Sequence, residues 1–171
     1  FKEKNFKIWV IIMATLKVKI QEDVILNNQD YGSKRVLEIE SITSIVKRVV
    51  NIGTDEIGLL GFGTAYNTEL SKSYLSGQFD EDLVRYIRIT NLDTTNHIAL
   101  VLKNENNDEF GVKVDKGCSF LYCADLEGGV KDTMDSADAT GITPNSFGDL
   151  VDITCAADTA ACDVEVFVAS A

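Results

Sequence analysis

Apolar and polar residues alternate with a period of two over most of this chain, the spacing at which successive side chains fall on opposite faces of a strand. The pattern is clearest over residues 84–123, VRYIRITNLDTTNHIALVLKNENNDEFGVKVDKGCSFLYC. Within 84–91, Val84, Tyr86, Arg88 and Thr90 face one way and Arg85, Ile87 and Ile89 the other. Apolar residues on both faces predict a central strand of a sandwich. NLDTTN (91–96) is a turn, HIALVLK (97–103) a nearly continuous apolar strand, and NENND (104–108) a second turn whose Asn and Asp tolerate the positive φ of tight hairpins. In 109–115, Phe110, Val112 and Val114 alternate with Glu109, Gly111, Lys113 and Asp115; in 118–124, Cys118, Phe120 and Tyr122 oppose Ser119, Leu121 and Cys123. Four strands at short, regular spacing predict an antiparallel meander.

The same alternation opens the chain proper. In TLKVKIQEDVIL (15–26), Leu16, Val18 and Ile20 oppose Lys17, Lys19 and Gln21, a strand with one solvated face. A turn at 27–34 leads to a return strand, RVLEIESI (35–42), expected as its hairpin partner. SIVKRVVNI (44–52) fits a strand or a short helix, and its β-branched residues favour the strand. EIGLLGF (56–62) is a glycine-broken strand, which hints at a bulge or a close approach by another backbone. LVDITC (150–155) and CDVEVFVA (162–169) supply the last two strands. The expected fold is all-β, an antiparallel β-sandwich (jelly-roll or Ig-like) of about 8–10 strands, formed as one domain over 13–171.

Two long segments lack this period. Residues 63–82 form an expected surface loop carrying Tyr66, Tyr74 and Phe79. Exposed aromatics bury area cheaply at interfaces, so these three are candidate interface residues; packing over the end of the sandwich is the competing reading. The second segment, about 125–148, places Asp132, Asp135 and Asp138 at every third position. Calcium loops gather carboxylates more densely, in a D-x-D-x-D-G-like frame, so a solvated acidic loop is expected over a calcium site.

Composition narrows the functional classes. With 45% hydrophobic and 25% charged residues, the 171-residue chain suits a packed domain and not a disordered one. The net charge of −11 speaks against direct binding of nucleic acid, whose phosphates need a positive surface. No apolar run reaches membrane-spanning length. Residues 1–12 (FKEKNFKIWVII) read as sequence upstream of a start at Met13, or else as an N-terminal arm that docks on a neighbour. The four cysteines, Cys118, Cys123, Cys155 and Cys162, lack zinc-knuckle spacing and are expected as buried, reduced thiols.

Catalytic chemistry has little to work with. His97 is the sole histidine, which excludes a multi-histidine metal site and leaves a catalytic triad one candidate base. Nucleophile-elbow, P-loop and H-E-x-x-H motifs are absent, and Gly61-Phe62-Gly63 lacks a phosphate-binding frame. A non-enzymatic protein without a cofactor is expected.

VRYIRITNLDTTNHIALVL, DEFGVKVDKGCSFLY and the closing VEVFVAS resemble virion structural proteins of tailed phages, marine ones especially, as does the start MATLKVKI. The resemblance covers about half the chain and rests on strand and turn patterns. It implies a small β-sandwich that assembles by repetition on a capsid or tail: a capsid-decorating (cement) subunit or a tail or neck component. Its partners would be further copies of itself and other virion proteins. An acidic exterior suits the outside of a DNA-filled shell. The alternatives are a carbohydrate-binding module stacking sugars on Tyr66, Tyr74 and Trp9 or Phe79, and an extracellular fibre subunit that donates residues 1–12 as a strand.

Overall fold

The structure, a computed structural model, describes residues 13–63, 74–124, 130–132 and 148–171. Its strands in chain order are β1 (Ala14–Glu22), β2 (Ile25–Leu26), β3 (Gln29–Asp30), β4 (Ser33–Ile42), β5 (Ser44–Ile52), β6 (Ile57–Phe62) and β7 (Gln78–Phe79). They continue as β8 (Val84–Asn91), β9 (Ile98–Asn104), β10 (Glu109–Val114), β11 (Ser119–Cys123), β12 (Lys131–Asp132), β13 (Gly148–Ala157) and β14 (Cys162–Ser170). The protein is all-β, and no helix occurs among the described residues, so none there is long and apolar enough to cross a membrane. The chain divides into two compact units at Ser44 and Ile45, where its alternation alone reads as one domain over 13–171.

The first unit is a β-ribbon. β1 and β4 pair antiparallel, as their alternation leads one to expect, and β2 and β3 pair at the tip. Asn27 and Asn28 join β2 to β3 with φ of 52° and 62°, the left-handed pair that a two-residue hairpin turn needs and asparagine tolerates. Register sorts the side chains cleanly. Leu16 opposite Ile39, Val18 opposite Leu37 and Ile20 opposite Arg35 share one face; Lys17 opposite Glu38, Lys19 opposite Val36 and Gln21 opposite Lys34 share the other.

The second unit is a sandwich of two sheets. One has the order β11-β8-β14-β5; the other has the order β10-β9-β13-β6-β7, with β12 also on β13. Inward residues of both sheets form one core, including Ile87, Ile89, Val164, Val166 and Val168 from the first and Leu59, Leu60, Leu100 and Ile153 from the second. The expected sandwich is thus present, with β8 central in its sheet as its two apolar faces imply.

The expected meander over 84–123 is not. β9 and β10 do form a hairpin, closed by the Asn104 side chain, which accepts from the backbone N–H groups of Asn106 and Asp108. β8, however, pairs with β11 and β14, so β8 and β9 lie in different sheets. The connection 92–97 is long enough to cross between them. The buried Asn91 side chain fixes the crossing by donating to the carbonyls of Asn96 and Val114 at 2.9 and 3.2 Å.

The segment 63–82 also differs from a plain surface loop. Its described part, 74–82, adds β7 parallel to β6 at the sheet edge. The bulge hinted at by the glycines of β6 is present, as a shift in its register with β13, where Ile153 pairs with Leu60 and Thr154 with Gly58. The close approach at Gly61 is by a side chain and not another backbone: a Cβ there would lie 2.4 Å from the Tyr74 ring.

Candidate functional site

Exposure along the ribbon rises steeply, from 7% at Ile39 through 44% at Leu37 to 77% at Ile25. Val24, Leu26 and Tyr31 accompany Ile25 in the open at the tip. The tip is held in shape by local polar bonds: Tyr31 N–H to the Val24 carbonyl at 2.9 Å, Gly32 N–H to Asp30 at 2.8 Å, and Tyr31 Oη to Gln29 at 2.7 Å. Among the described residues, eight large apolar side chains of 13–44 are exposed, against seven in the larger second unit. A two-stranded ribbon is at best marginal in water, and an apolar patch held open on one is the usual mark of a contact surface.

At one end of the sandwich four connections gather: 53–56, 92–97, 115–118 and 158–161. Backbone bonds tie them together, from Ala157 N–H to the Gly53 carbonyl (2.8 Å), Asp158 N–H to that of His97 (3.1 Å), and Gly117 N–H to that of Asn91 (3.0 Å). This end carries Asp55, Glu56, Asp93, Asp115, Asp158 and Asp163, with Lys113, Lys116 and the half-buried His97 among them. Asp93 accepts from the N–H groups of Thr95 and Asn96, both at 2.6 Å, and those two bonds hold its carboxyl below the usual range. The Lys113 ammonium, 2.8 Å from Asp115, does the same for that carboxyl. His97 Nδ1 lies 3.4 Å from an Asp158 carboxylate oxygen. Among the described residues no three His, Cys, Asp or Glu side chains converge to hold a metal ion.

The outer face of the four-stranded sheet carries an ionic and aromatic group. Glu165 takes Arg88 at 2.5 Å and Lys47 at 3.1 Å, and both partners pull its carboxyl below the usual range. Arg88 sits 6.0 Å over the Phe167 ring, and Tyr86 meets that ring edge-on at 5.9 Å. Ile45, Val49 and Leu121 are exposed on the strands of this sheet.

The aromatic residues singled out by their loop fare differently. Tyr74 is 9% exposed; it lies on Gly61 and donates to Asp152 at 3.3 Å. Burial first, then the Asp152 carboxylate, push its phenol up to about 12. Phe79 is half-buried against the core. Tyr66 and Trp9 lie outside the described residues, as do Asp135 and Asp138; Asp132 is in β12. Tyr74 therefore packs over a sheet edge and offers no open ring for stacking.

The cysteines split. All four are free, with Cys155 and Cys162 buried as expected, but Cys118 and Cys123 exposed. Cys118 belongs to the turn before β11, and Cys123 ends β11 on an edge strand, opposite Tyr86. Burial, with Cys162 nearby, pushes the Cys155 thiol up to about 12, so it behaves as a small hydrophobe. The ribbon's apolar tip is the feature missed by alternation, although VIL at 24–26 beside Asn27-Asn28 was a visible signal of an apolar hairpin end. No family model, curated protein or solved structure matches the chain.

Proposed function

We propose that the protein is a non-enzymatic virion structural subunit of a tailed phage, a capsid-decorating or tail component that works through repeated protein–protein contacts. The observation that carries the reading is the ribbon of 13–44, which keeps an apolar tip in the open while the sandwich buries most of its own large apolar residues. Contacts of this kind are the business of assembly proteins, and apolar surface removed from water is what drives them. The strand and turn patterns of 84–123 and 164–170 point the same way through their likeness to phage virion proteins. Sugar binding draws no support from Tyr74, whose ring is covered.

The test is mass spectrometry of purified particles, joined to add-back of the purified protein to shells and tails that lack it. The protein is expected in mature particles at a fixed, high copy number and to sediment with one of the two. A strictly monomeric protein that binds neither capsid nor tail would overturn the reading.

A further inference from the structure

Among the described residues, the sheets of the sandwich end on β11 and β5 on one side and on β10 and β7 on the other. An edge strand shows a row of unpaired N–H and C=O groups to any strand that meets it, and proteins guard such rows by charge or by short length. β5 carries Lys47 and Arg48, β10 carries Glu109 and Lys113, and β7 has only two residues. β11 has neither guard: Ser119, Phe120, Leu121, Tyr122 and Cys123 include no charge. Its backbone is also turned the right way. The Cys118 carbonyl accepts from the Asn91 N–H, and the Ala124 N–H donates to the Arg85 carbonyl. Antiparallel pairs alternate, so even-numbered residues here bond to β8, and Ser119, Leu121 and Cys123 direct their N–H and C=O groups away from it. Those three residues are exposed, Leu121 to 41%.

We infer that β11 is a self-pairing edge, where a second copy of this chain adds its own β11 antiparallel about a twofold axis at Leu121. The inference deepens the assembly reading above by naming one contact between copies. In this register Leu121 meets Leu121 of the second copy and Ser119 meets its Cys123, and each pair exchanges both backbone bonds. The three outward residues are thus all used, and the two four-stranded sheets run on as one. The side chains agree with the backbone. Leu121 lies on the same face as Ser119 and Cys123, so the twofold axis sets two exposed leucines together. On the other face, Phe120 comes opposite Tyr122 of the second copy; both rings are half-buried against the core, and the pairing covers what remains. Charge selects the occupant. The chain carries −11, so copies repel where their acidic surfaces meet, and an uncharged strand is where they can approach.

The experiment uses the full chain. By light scattering the parent is expected to form a dimer that tightens as salt rises, because screening removes the repulsion between acidic copies. Leu121→Lys sets two like charges together on the axis and is expected to weaken the dimer at least about tenfold. The position is exposed, and an unfolding curve matching the parent's confirms that the variant folds. A second variant reads the register. Ser119→Cys places a new thiol opposite Cys123 of the second copy, about 5.5 Å away between Cα atoms, within disulfide reach. Oxidised glutathione, itself reduced to two thiols, takes the two electrons and two protons, and a covalent dimer is expected; Ser119→Cys with Cys123→Ser should give none. A dimer that loosens with salt, a Leu121→Lys variant that associates like the parent, or failure of Ser119→Cys to cross-link through Cys123 would overturn the inference. A monomeric parent that still binds shells or tails sinks the β11 contact and leaves the assembly reading standing, with a particle protein as the strand's partner. A dimer of the expected register that binds neither sinks the assembly reading alone.

Discussion

The ribbon of 13–44 and the sandwich of 45–170 treat the same kind of side chain in opposite ways. In the sandwich, β8 and β14 place Ile87, Ile89, Val164 and Val166 against a second sheet, and none of these is accessible to water. In the ribbon, an equally regular alternation ends in Val24, Ile25, Leu26 and Tyr31, all in the open. Alternation is a local property; burial needs something to face. A strand folded into two layers buries its apolar face within its own domain, and a strand in a two-stranded ribbon has no second layer of its own to face.

The sharpest break of this comparison is a pair of truncations followed by urea unfolding. Ile89→Ala removes a fully buried side chain and is expected to cost about 2–5 kcal/mol. Ile25→Ala removes one that is 77% exposed and should change the parent's folding stability by less than about 0.5 kcal/mol at concentrations where it is monomeric. Equal costs would mean that the ribbon tip is already buried within one copy.

Gly61→Ala tests the sandwich edge. The added methyl meets the Tyr74 ring, so a loss of about 1–3 kcal/mol is expected. Gly61→Ala combined with Tyr74→Ala should cost less than the sum of the two single changes, because removing the ring removes the clash. Strict additivity would separate the two residues.

Tyr74 also gives the sandwich a pH signature. Its phenol holds its proton up to about pH 12 in the folded chain and ionises near 10 when unfolded. The unfolded state therefore binds fewer protons between those values, and stability contributed by Tyr74, complete below pH 10, is lost as pH climbs toward 12. Tyr74→Phe should flatten that part of the stability profile; an unchanged slope would point to other groups.

The smallest effect belongs to the ribbon's own electrostatics. Lys17 and Glu38 are 2.9 Å apart but more than half exposed. Lys17→Ala should cost about 0.2–1 kcal/mol and nothing measurable at high salt. A larger, salt-insensitive cost would show the pair to be shielded from water.

Much of this was legible in the residues. The strands at 14–22, 44–52, 84–91 and 162–170 follow from period-two runs rich in Val and Ile. Partner choice was not, because alternation says which way a side chain points and nothing about which strand lies beside it. Four strands in sequence therefore read as a meander, while the Asn91 bonds that carry the chain across to the other sheet have no periodic signature. β2, β3, β7 and β12 have two residues each, too short to show a period. Tyr74 resembled a surface aromatic because the feature that covers it, the bare backbone of Gly61, lies thirteen residues earlier and becomes a neighbour only after β7 aligns with β6.

The placement of β13 and β14 has a consequence for how the protein is made. Each is an interior strand, β13 between β9 and β6 in one sheet and β14 between β8 and β5 in the other. On the ribosome, β5, β6, β8 and β9 emerge before the strands that must separate them, and they wait with their edges unsatisfied. The ribbon pairs only its own residues, yet a two-stranded ribbon by itself is marginal in water, so emerging first does not complete it. Synthesis should thus leave both sheets of the sandwich open until β14 has cleared the exit tunnel, a delay set by the long sequence separation of the paired strands.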